Sequence, residues 1–174
     1  MPPVRLGAVA GHRRHRTILA KRENFRAAFA GFEIPAVARF DQRNVERLLG
    51  DAGIVRHRGK IEAVISNARR AEELVEREGS LAAFVWRYEP HAGDLAEPQT
   101  MSTSPASVAL SKDLRKQGWK FVGPTTVFAF MQAMGLIKDH ALGCTTRPEA
   151  QRIRDEFHRP ARVASGPGRP GFRR

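Results

Sequence analysis

Cysteine is nearly absent from the chain, which has a single one, Cys144, among its 174 residues. One thiol cannot form an internal disulfide, so the sequence excludes a disulfide-stabilised secreted fold and favours a reducing, cytoplasmic setting. Long apolar runs are also missing, and none approaches the roughly 18 residues of a membrane span. No signal peptide is evident, so we expect a chain that works without a membrane.

Acidic and aromatic side chains are missing from residues 1–22, which contain six Lys and Arg but no Asp, Glu, Phe, Tyr or Trp. Residues 147–174 contain eight Arg against three acids, so most of the formal net charge of +12 lies near the two ends of the chain. Residues 23–146 carry only +1. The net charge is therefore weak support for nucleic-acid binding, and a local basic cluster counts for more.

Strand alternation and internal repeats are also lacking, and apolar residues recur at helical spacing instead. A chain of this length can form one domain with a real core. Residues 1–16 and 147–174 show no apolar periodicity, so we predict disordered basic termini on either side of a single domain at 17–146. The pattern predicts an all-α fold with a long surface loop at 87–103.

Several helix boundaries can be assigned from local signals. Asp41 is a suitable N-cap for the helix that leads towards residue 50, and Ser104-Pro105 is a strong helix start that is followed by a stop at Gly118. A second Pro start follows Gly123. One apolar stripe on the helix after residue 57 is assigned to the core rather than to a ligand pocket. The stripe consists of Ile61, Val64, Ile65 and Ala68.

The segment 51–61, with the sequence DAGIVRHRGKI, is the strongest functional signal in the chain. An apolar helical run ends in a tight turn, and a second helix begins at once behind basic side chains. Free backbone N–H groups and the helix dipole both favour a phosphate at such a helix start. The pattern resembles a helix-hairpin-helix DNA-binding element, and from these residues alone an ordinary helical corner with solvated charges stays open. The candidate DNA-binding residues are Gly53, Arg56, Arg58, Gly59 and Lys60.

Wider blocks support the functional interpretation of this hairpin. They are LAKRENFR at 19–26, DAGIVRHRGKIEAVISNAR at 51–69, FVW at 84–86, SPASVALSKDL at 104–114, KFVG at 120–123, FMQAMGL at 130–136 and DHALGC at 139–144. In these blocks and their spacing, residues 17–146 resemble the DNA-3-methyladenine glycosylase I family. The resemblance implies an all-helical base-excision repair enzyme that acts on double-stranded DNA with alkylated adenine. Such an enzyme flips 3-methyladenine out of the duplex and hydrolyses its N-glycosidic bond.

The catalytic group of the family has no counterpart that we can identify. The resemblance places the family's glutamate, and most of its aromatic pocket wall, upstream of the position matched by Thr17. Glu23 is the first acid of this chain, but it belongs to a block that the family has in addition to its glutamate. We therefore expect a start that is truncated or mis-assigned, and slow or no release of methyladenine. The alternatives are a non-catalytic DNA-binding remnant and, more distantly, a helix-turn-helix transcription factor.

His140 and Cys144 are the candidate metal ligands. Their four-residue spacing places both side chains on one side of a helical turn. The resemblance implies that they are two of four structural zinc ligands, and the family's other two, a cysteine and a histidine near its N-terminus, are missing here. His12 and His15 are distant substitutes. We expect an incomplete zinc site in a monomeric protein.

Overall fold

The structure, a computed structural model, describes residues 18–95 and 97–160, and every regular element within them is helical. The predicted all-α fold is therefore confirmed. The disorder predicted for residues 1–16 and for 161–174 concerns residues outside those described. None of the described helices has the length and apolarity that a membrane span requires. Two compact units meet in the chain between Arg69 and Arg70, and the single domain predicted from the sequence stays a prediction.

In its described part, the first unit contains three short α-helices, a 3₁₀ turn at Ala30–Phe32 and the beginning of a long helix. The α-helices are α1 (Arg22–Ala28), α2 (Ile34–Ala38), α3 (Gln42–Gly50) and α4 (Arg58–Glu78), and α4 continues beyond the unit. The predicted N-cap of α3 is confirmed, because the Asn44 N–H donates to Asp41 Oδ1 over 3.1 Å and the Asp41 N–H donates to Asn44 Oδ1 over 3.0 Å. These two bonds satisfy donors that have no partner within a helix.

The first unit has its own apolar core around Leu48, which is fully buried. The stripe predicted on α4 contributes to this core through Ile61, Ile65 and Ala68, with Val64 partly buried beside them. Ile54, in the turn between α3 and α4, is 2% exposed and joins the same cluster. Burying that side chain holds the turn against the unit, since about 1.5–3 kcal/mol is gained by burying such a group.

The second unit contains the rest of α4 and four further helices. They are α5 (Leu81–Trp86), α6 (Pro105–Lys116), α7 (Pro124–Ala133) and α8 (Arg147–Glu156). The Ser107 N–H donates to Ser104 Oγ over 3.1 Å, which confirms the predicted start of α6. Gly118 follows the end of α6 at a φ of 82°, where a side chain is strained. Between α5 and α6 the chain forms the predicted loop, with one 3₁₀ turn at Ala92–Asp94.

The prediction of disorder is wrong for residues 147–156, which form α8. Charged pairs rather than an apolar stripe mark this helix: Arg152 bonds Glu149 at 2.7 Å and Glu156 at 2.8 Å, one turn away on either side, although each of these exposed pairs contributes only a little to its stability. Arg154 also binds Glu89 at 2.5 Å, far away in the sequence. Apolar periodicity could not reveal the helix, because its partners are charges and a distant carboxylate.

Candidate nucleic-acid-binding site

The turn between α3 and α4 is closed by Asp51. Its carboxylate Oδ1 accepts the Gly53 N–H over 2.7 Å, and its carbonyl accepts the Ile54 N–H over 3.4 Å. A Cβ atom at Gly53 would lie 2.9 Å from Asp51 Oδ1 and 3.2 Å from Asn24 Nδ2. The backbone of Gly53 is not left-handed, so the close approach of these two side chains, and not the φ angle, explains the glycine.

Two side chains from α1 and the residue before it hold the turn from outside. Lys21 Nζ donates to the Ala52 carbonyl over 2.7 Å, and Asn24 Nδ2 donates to the Gly53 carbonyl over 3.1 Å. The carbonyl groups of the turn are therefore occupied by protein donors. Sequence reasoning did not find this brace, because polar residues on a helix are most often solvated, and only their place in the LAKRENFR block was a signal.

The start of α4 presents the backbone N–H groups of its first turn beside three basic side chains. His57 caps the helix, since its carbonyl and its Nδ1 both accept the Lys60 N–H, over 3.0 Å and 3.2 Å. Arg56 and Arg58 are exposed, and Arg58 makes an exposed ion pair with Glu62 at 3.4 Å. Such a pair contributes little and can be exchanged for another anion. The N–H groups at the helix start, the dipole and the positive side chains together form a site that suits one phosphate.

A second basic face lies on α6 and just beyond it. Lys112, Arg115, Lys116 and Lys120 are all exposed there. Lys116 lies 3.8 Å from Asp113, so one charge of this face is partly compensated. This face has no turn that presents backbone donors, and a solvated surface explains it adequately.

His140 and Cys144 do lie together, at the surface of the second unit. Cys144 Sγ is 3.6 Å from His140 Nδ1 and 3.0 Å from Thr146 Oγ1. Hydrogen bonds from the Thr146 hydroxyl and backbone, and then from His140, lower the pKa of the Cys144 thiol to about 7. A tetrahedral zinc with sulfur at about 2.3 Å and nitrogen at about 2.0 Å would hold these two atoms about 3.5 Å apart. The pair therefore fits half of a zinc shell.

Among the described residues, no third metal ligand joins this pair. In residues 18–95 and 97–160, no group of three or more His, Cys, Asp or Glu side chains could hold a metal ion. The two substitutes considered from the sequence, His12 and His15, lie outside the described residues. The described side chains thus supply two donors, whereas a closed structural zinc site takes four.

Comparison with known proteins supplies the context for this hairpin. The family model described as methyladenine glycosylase matches residues 6–147, which reaches further upstream than the resemblance over residues 17–146 that the sequence blocks indicate. DNA-3-methyladenine glycosylase 1 of Escherichia coli K12 is 46% identical over 136 residues, which are 76% of this chain and 73% of that protein. DNA-3-methyladenine glycosylase of Haemophilus influenzae is 35% identical over 132 residues, covering 74% of this chain and 71% of that one.

Solved structures agree with the sequence matches. A crystal structure of 3-methyladenine DNA glycosylase I superposes with a TM-score of 0.69 at 45% identity, over 74% of this chain and 73% of the other. The Staphylococcus aureus enzyme, solved to explain its recognition of 3-methyladenine, gives a TM-score of 0.70 at 36% identity, over 76% and 72% of the two chains. A third structure, of a tyrosine-to-phenylalanine variant, contains 3-methyladenine; it has a TM-score of 0.69 at 36% identity and covers 76% and 73%.

Proposed function

The chain belongs to the methyladenine glycosylase family, and on that basis we propose that it is a DNA-3-methyladenine glycosylase of base-excision repair. The observation that carries the proposal is the 46% identity over 136 residues with an enzyme of that name. The reaction is hydrolysis of the N-glycosidic bond between 3-methyladenine and deoxyribose, after the damaged nucleotide has been rotated out of the duplex.

The reaction needs little assistance to the leaving group, and it depends mainly on how the enzyme binds the DNA. A methylated adenine carries positive charge, so it departs readily once its sugar bond is exposed. Rate enhancement then comes from groups that stabilise the departing base and the cationic sugar more strongly in the transition state than in the ground state. Holding the DNA backbone while one nucleotide is rotated out is the task that we assign to the hairpin.

We assign the backbone contact to Arg56, Arg58, Gly59 and Lys60. Gly53 belongs to the same site as the residue that shapes the turn, since its own N–H and carbonyl are bonded to Asp51 and Asn24. The support is that Lys21 and Asn24 already occupy the carbonyl groups of the turn, so the face left for a ligand consists of N–H donors and cations. A phosphate is the group in DNA that this face suits, and phosphate contacts do not depend on base sequence. Double-stranded DNA with an alkylated adenine is therefore the proposed partner.

The experiment that tests the activity is release of 3-methyladenine from alkylated duplex DNA, separated from other bases and measured under single-turnover conditions. The Escherichia coli relative at equal concentration is the positive control. Release above the rate of DNA without protein supports the proposal. If duplex DNA binds but no base is released, the second candidate function applies instead.

That second candidate is a non-catalytic DNA-binding protein. One observation favours it: the described lining of the cavity beside the hairpin contains no carboxylate. Glu23, the first acid of the chain, is exposed and does not line the cavity, although its ion-pair partner Arg26, at 3.2 Å, does. Absence of release by the unmodified protein is the result that favours this second function. If base is released, Glu23→Gln tests the role of that residue: the release rate should stay unchanged if catalysis uses another group and should be abolished only if Glu23 is the catalytic group.

For metal, the proposal is a partial zinc site at His140 and Cys144. Zinc there would link two parts of the loop that follows α7, and its chemistry would be structural, without a role in bond cleavage. With only two described donors we expect well under one zinc per purified chain, measured by elemental analysis against protein concentration. Stoichiometric zinc that is lost in His12→Ala or His15→Ala would contradict this, because it would show that the shell is completed by those histidines.

Two further expectations concern the cellular location and the oligomeric state of the protein. We propose a cytoplasmic location, supported by the single cysteine, whose thiol stays reduced in such a compartment. We also propose a monomer, since one duplex and one hairpin require no second copy. Light scattering coupled to size-exclusion chromatography tests the latter, and a mass of twice 19.4 kDa would contradict it.

A further inference from the structure

A cavity of about 580 Å³ opens beside the hairpin in the first unit. Its walls are mostly apolar and include Leu19, Phe25 and Phe32, while Val55 and Lys60 are contributed by the hairpin itself. Arg22 also lines it, so the described rim carries positive charge and no carboxylate. The cavity therefore reaches the start of α4 at Lys60.

Phe32 is presented to this cavity in an unusual way. The three residues Ala30, Gly31 and Phe32 have φ angles of 49°, 68° and 61°, a left-handed conformation that only glycine adopts readily. The Phe32 ring lies parallel to that of the buried Phe29, at 5.5 Å between centroids and 8° between planes. Phe32 is nevertheless 47% exposed, so burial recovers only part of the cost of the strained backbone. One face of the ring is backed by protein while the side chain stays half open to a ligand.

We propose that this cavity receives an unpaired, uncharged base of the bound DNA, which stacks on Phe32 while Arg22 and Lys60 lie near its phosphates. The inference rests on the proposed DNA binding and adds a second contact to it. Base stacking on aromatic rings next to basic side chains is the usual way in which unpaired nucleotides are held. The cationic rim disfavours the positively charged 3-methyladenine, so the occupant is another base that is unstacked during binding.

Charge also argues against the nearest alternative occupant, the chain's own N-terminal residues. Residues 1–16 contain four Arg and no acid, so they have the same sign as the rim formed by Arg22 and Lys60. DNA has the opposite sign and brings flat apolar surfaces. A nucleotide therefore complements both the charge and the aromatic wall of the cavity.

The test uses the full chain and two DNA probes: a fully paired duplex, and the same duplex with one unpaired 2-aminopurine. We expect the bulged duplex to bind about tenfold more tightly and its fluorescence to be quenched on binding, because one stacked base contributes roughly that factor. Phe32→Leu keeps apolar bulk but removes the ring, so it should abolish the quenching and the preference. Binding of the paired duplex should change much less, because unpairing a base there offsets most of the gain from stacking it.

Two variants make the result interpretable. Phe32→Tyr keeps the aromatic face and should keep quenching, which separates loss of stacking from loss of folding. Phe121→Leu is the matched control in the second unit, since Phe121 is also left-handed, with a φ of 56°, and is 57% exposed. It should leave both probes unaffected. An equal loss in Phe121→Leu would overturn the assignment to the cavity.

The remaining outcomes distinguish the inference from the proposed function. Normal binding of the paired duplex without quenching of the bulged one overturns the inference and leaves hairpin docking intact. Quenching without base release upholds the inference and removes the catalytic proposal. If Phe32→Leu and Leu6→Ser instead show coupled effects on thermal unfolding, the cavity is covered by the chain's own N-terminal residues, and the inference is wrong. Concentration-dependent dimerisation that Phe32→Leu removes would overturn it in favour of a second copy.

Discussion

Gly53 links the stability of the hairpin to its proposed role in DNA binding. The Gly53 N–H is held by Asp51 over 2.7 Å, and its carbonyl by Asn24 over 3.1 Å. Both partners lie so close that a Cβ atom would displace them. The residue is thus required for packing, and the shape of the turn depends on it.

Gly53→Ala should lower the free energy of unfolding by roughly 1 kcal/mol, because Asp51 must move and its bond to the turn is lost. DNA affinity should fall with it, since the start of α4 is no longer held in place. Gly50→Ala is the control: a Cβ there meets nothing within 4 Å, and alanine suits a helix better than glycine. Chemical denaturation and fluorescence anisotropy measure the two effects, and equal results for both variants would contradict this account.

Tyr88 is the only tyrosine of the chain, which makes its ionisation directly observable. Burial, followed by its hydrogen bond to Asp113, raises the pKa of Tyr88 to about 12. The folded state therefore holds the phenol proton more tightly than the unfolded state, where the pKa is about 10. This contribution to stability is complete below pH 10 or so and is lost as the pH rises towards 12.

When the folded protein is titrated with base, the absorbance of the Tyr88 phenolate should rise with a midpoint at a pH of about 12. Asp113→Asn removes the negative charge beside the ring and should shift the midpoint down towards the ordinary value. The same titration in denaturant provides the unfolded reference. A folded midpoint that coincides with that reference would mean that Tyr88 is solvated and not bonded to Asp113.

The hairpin and α6 differ as elements although both carry basic side chains. In the hairpin, charges surround a helix start at which His57 caps the Lys60 N–H and the N–H groups of Arg58 and Gly59 precede the first intrahelical bond, so each cation reinforces a geometric site. On α6 the charges lie along a helix flank, where no backbone donor accompanies them. Charge alone would rank the two faces equally, whereas the geometry favours the hairpin.

Arg56→Ala with Arg58→Ala should weaken binding of any duplex and reduce the slope of log affinity against log salt by up to about 2, since each lost phosphate contact removes about 0.9. Lys112→Ala with Lys116→Ala removes the same charge from α6 and should leave the slope unchanged. Anisotropy titrations at several salt concentrations supply both slopes. If the α6 variant loses as much slope, the interface includes that face or lies there altogether.

The described residues form two separate buried clusters. This separation determines which part of the chain should lose stability when one cluster is disrupted by a substitution. Leu48 is fully buried in the first unit and Leu110 in the second. The division between Arg69 and Arg70 falls within the span of the long helix α4, Arg58–Glu78. The single domain predicted from the sequence can be tested by substitution in each core.

Leu48→Ala and Leu110→Ala should each cost about 2–5 kcal/mol of stability, the usual range for a buried leucine that leaves a cavity. We expect faster hydrogen exchange in residues 18–69 for the first variant and in residues 70–160 for the second. Mass spectrometry of peptic fragments resolves the two. Uniform loss of protection in both variants would show one cooperative unit and would favour the single domain.

Local signals in the sequence were sufficient for the helices and for the hairpin. The caps at Asp41 and Ser104 and the stripe through Ile61 and Ile65 are confirmed, because each depends on partners within about one or two helical turns. The all-α fold and the family followed from the same patterns, since helical periodicity and ordered blocks are properties of the chain itself.

Contacts between distant residues decided the rest. Lys21 and Asn24 brace a turn about thirty positions away, Arg154 reaches Glu89 across 65 positions, and the left-handed turn before α2 brings Phe32 over Phe29. None of these has a local signature, because a polar side chain on a helix looks the same whether it meets water or a distant carbonyl group. Which carbonyl, carboxylate or ring it meets is set by the packing of the helices, and so it becomes visible only in the folded chain.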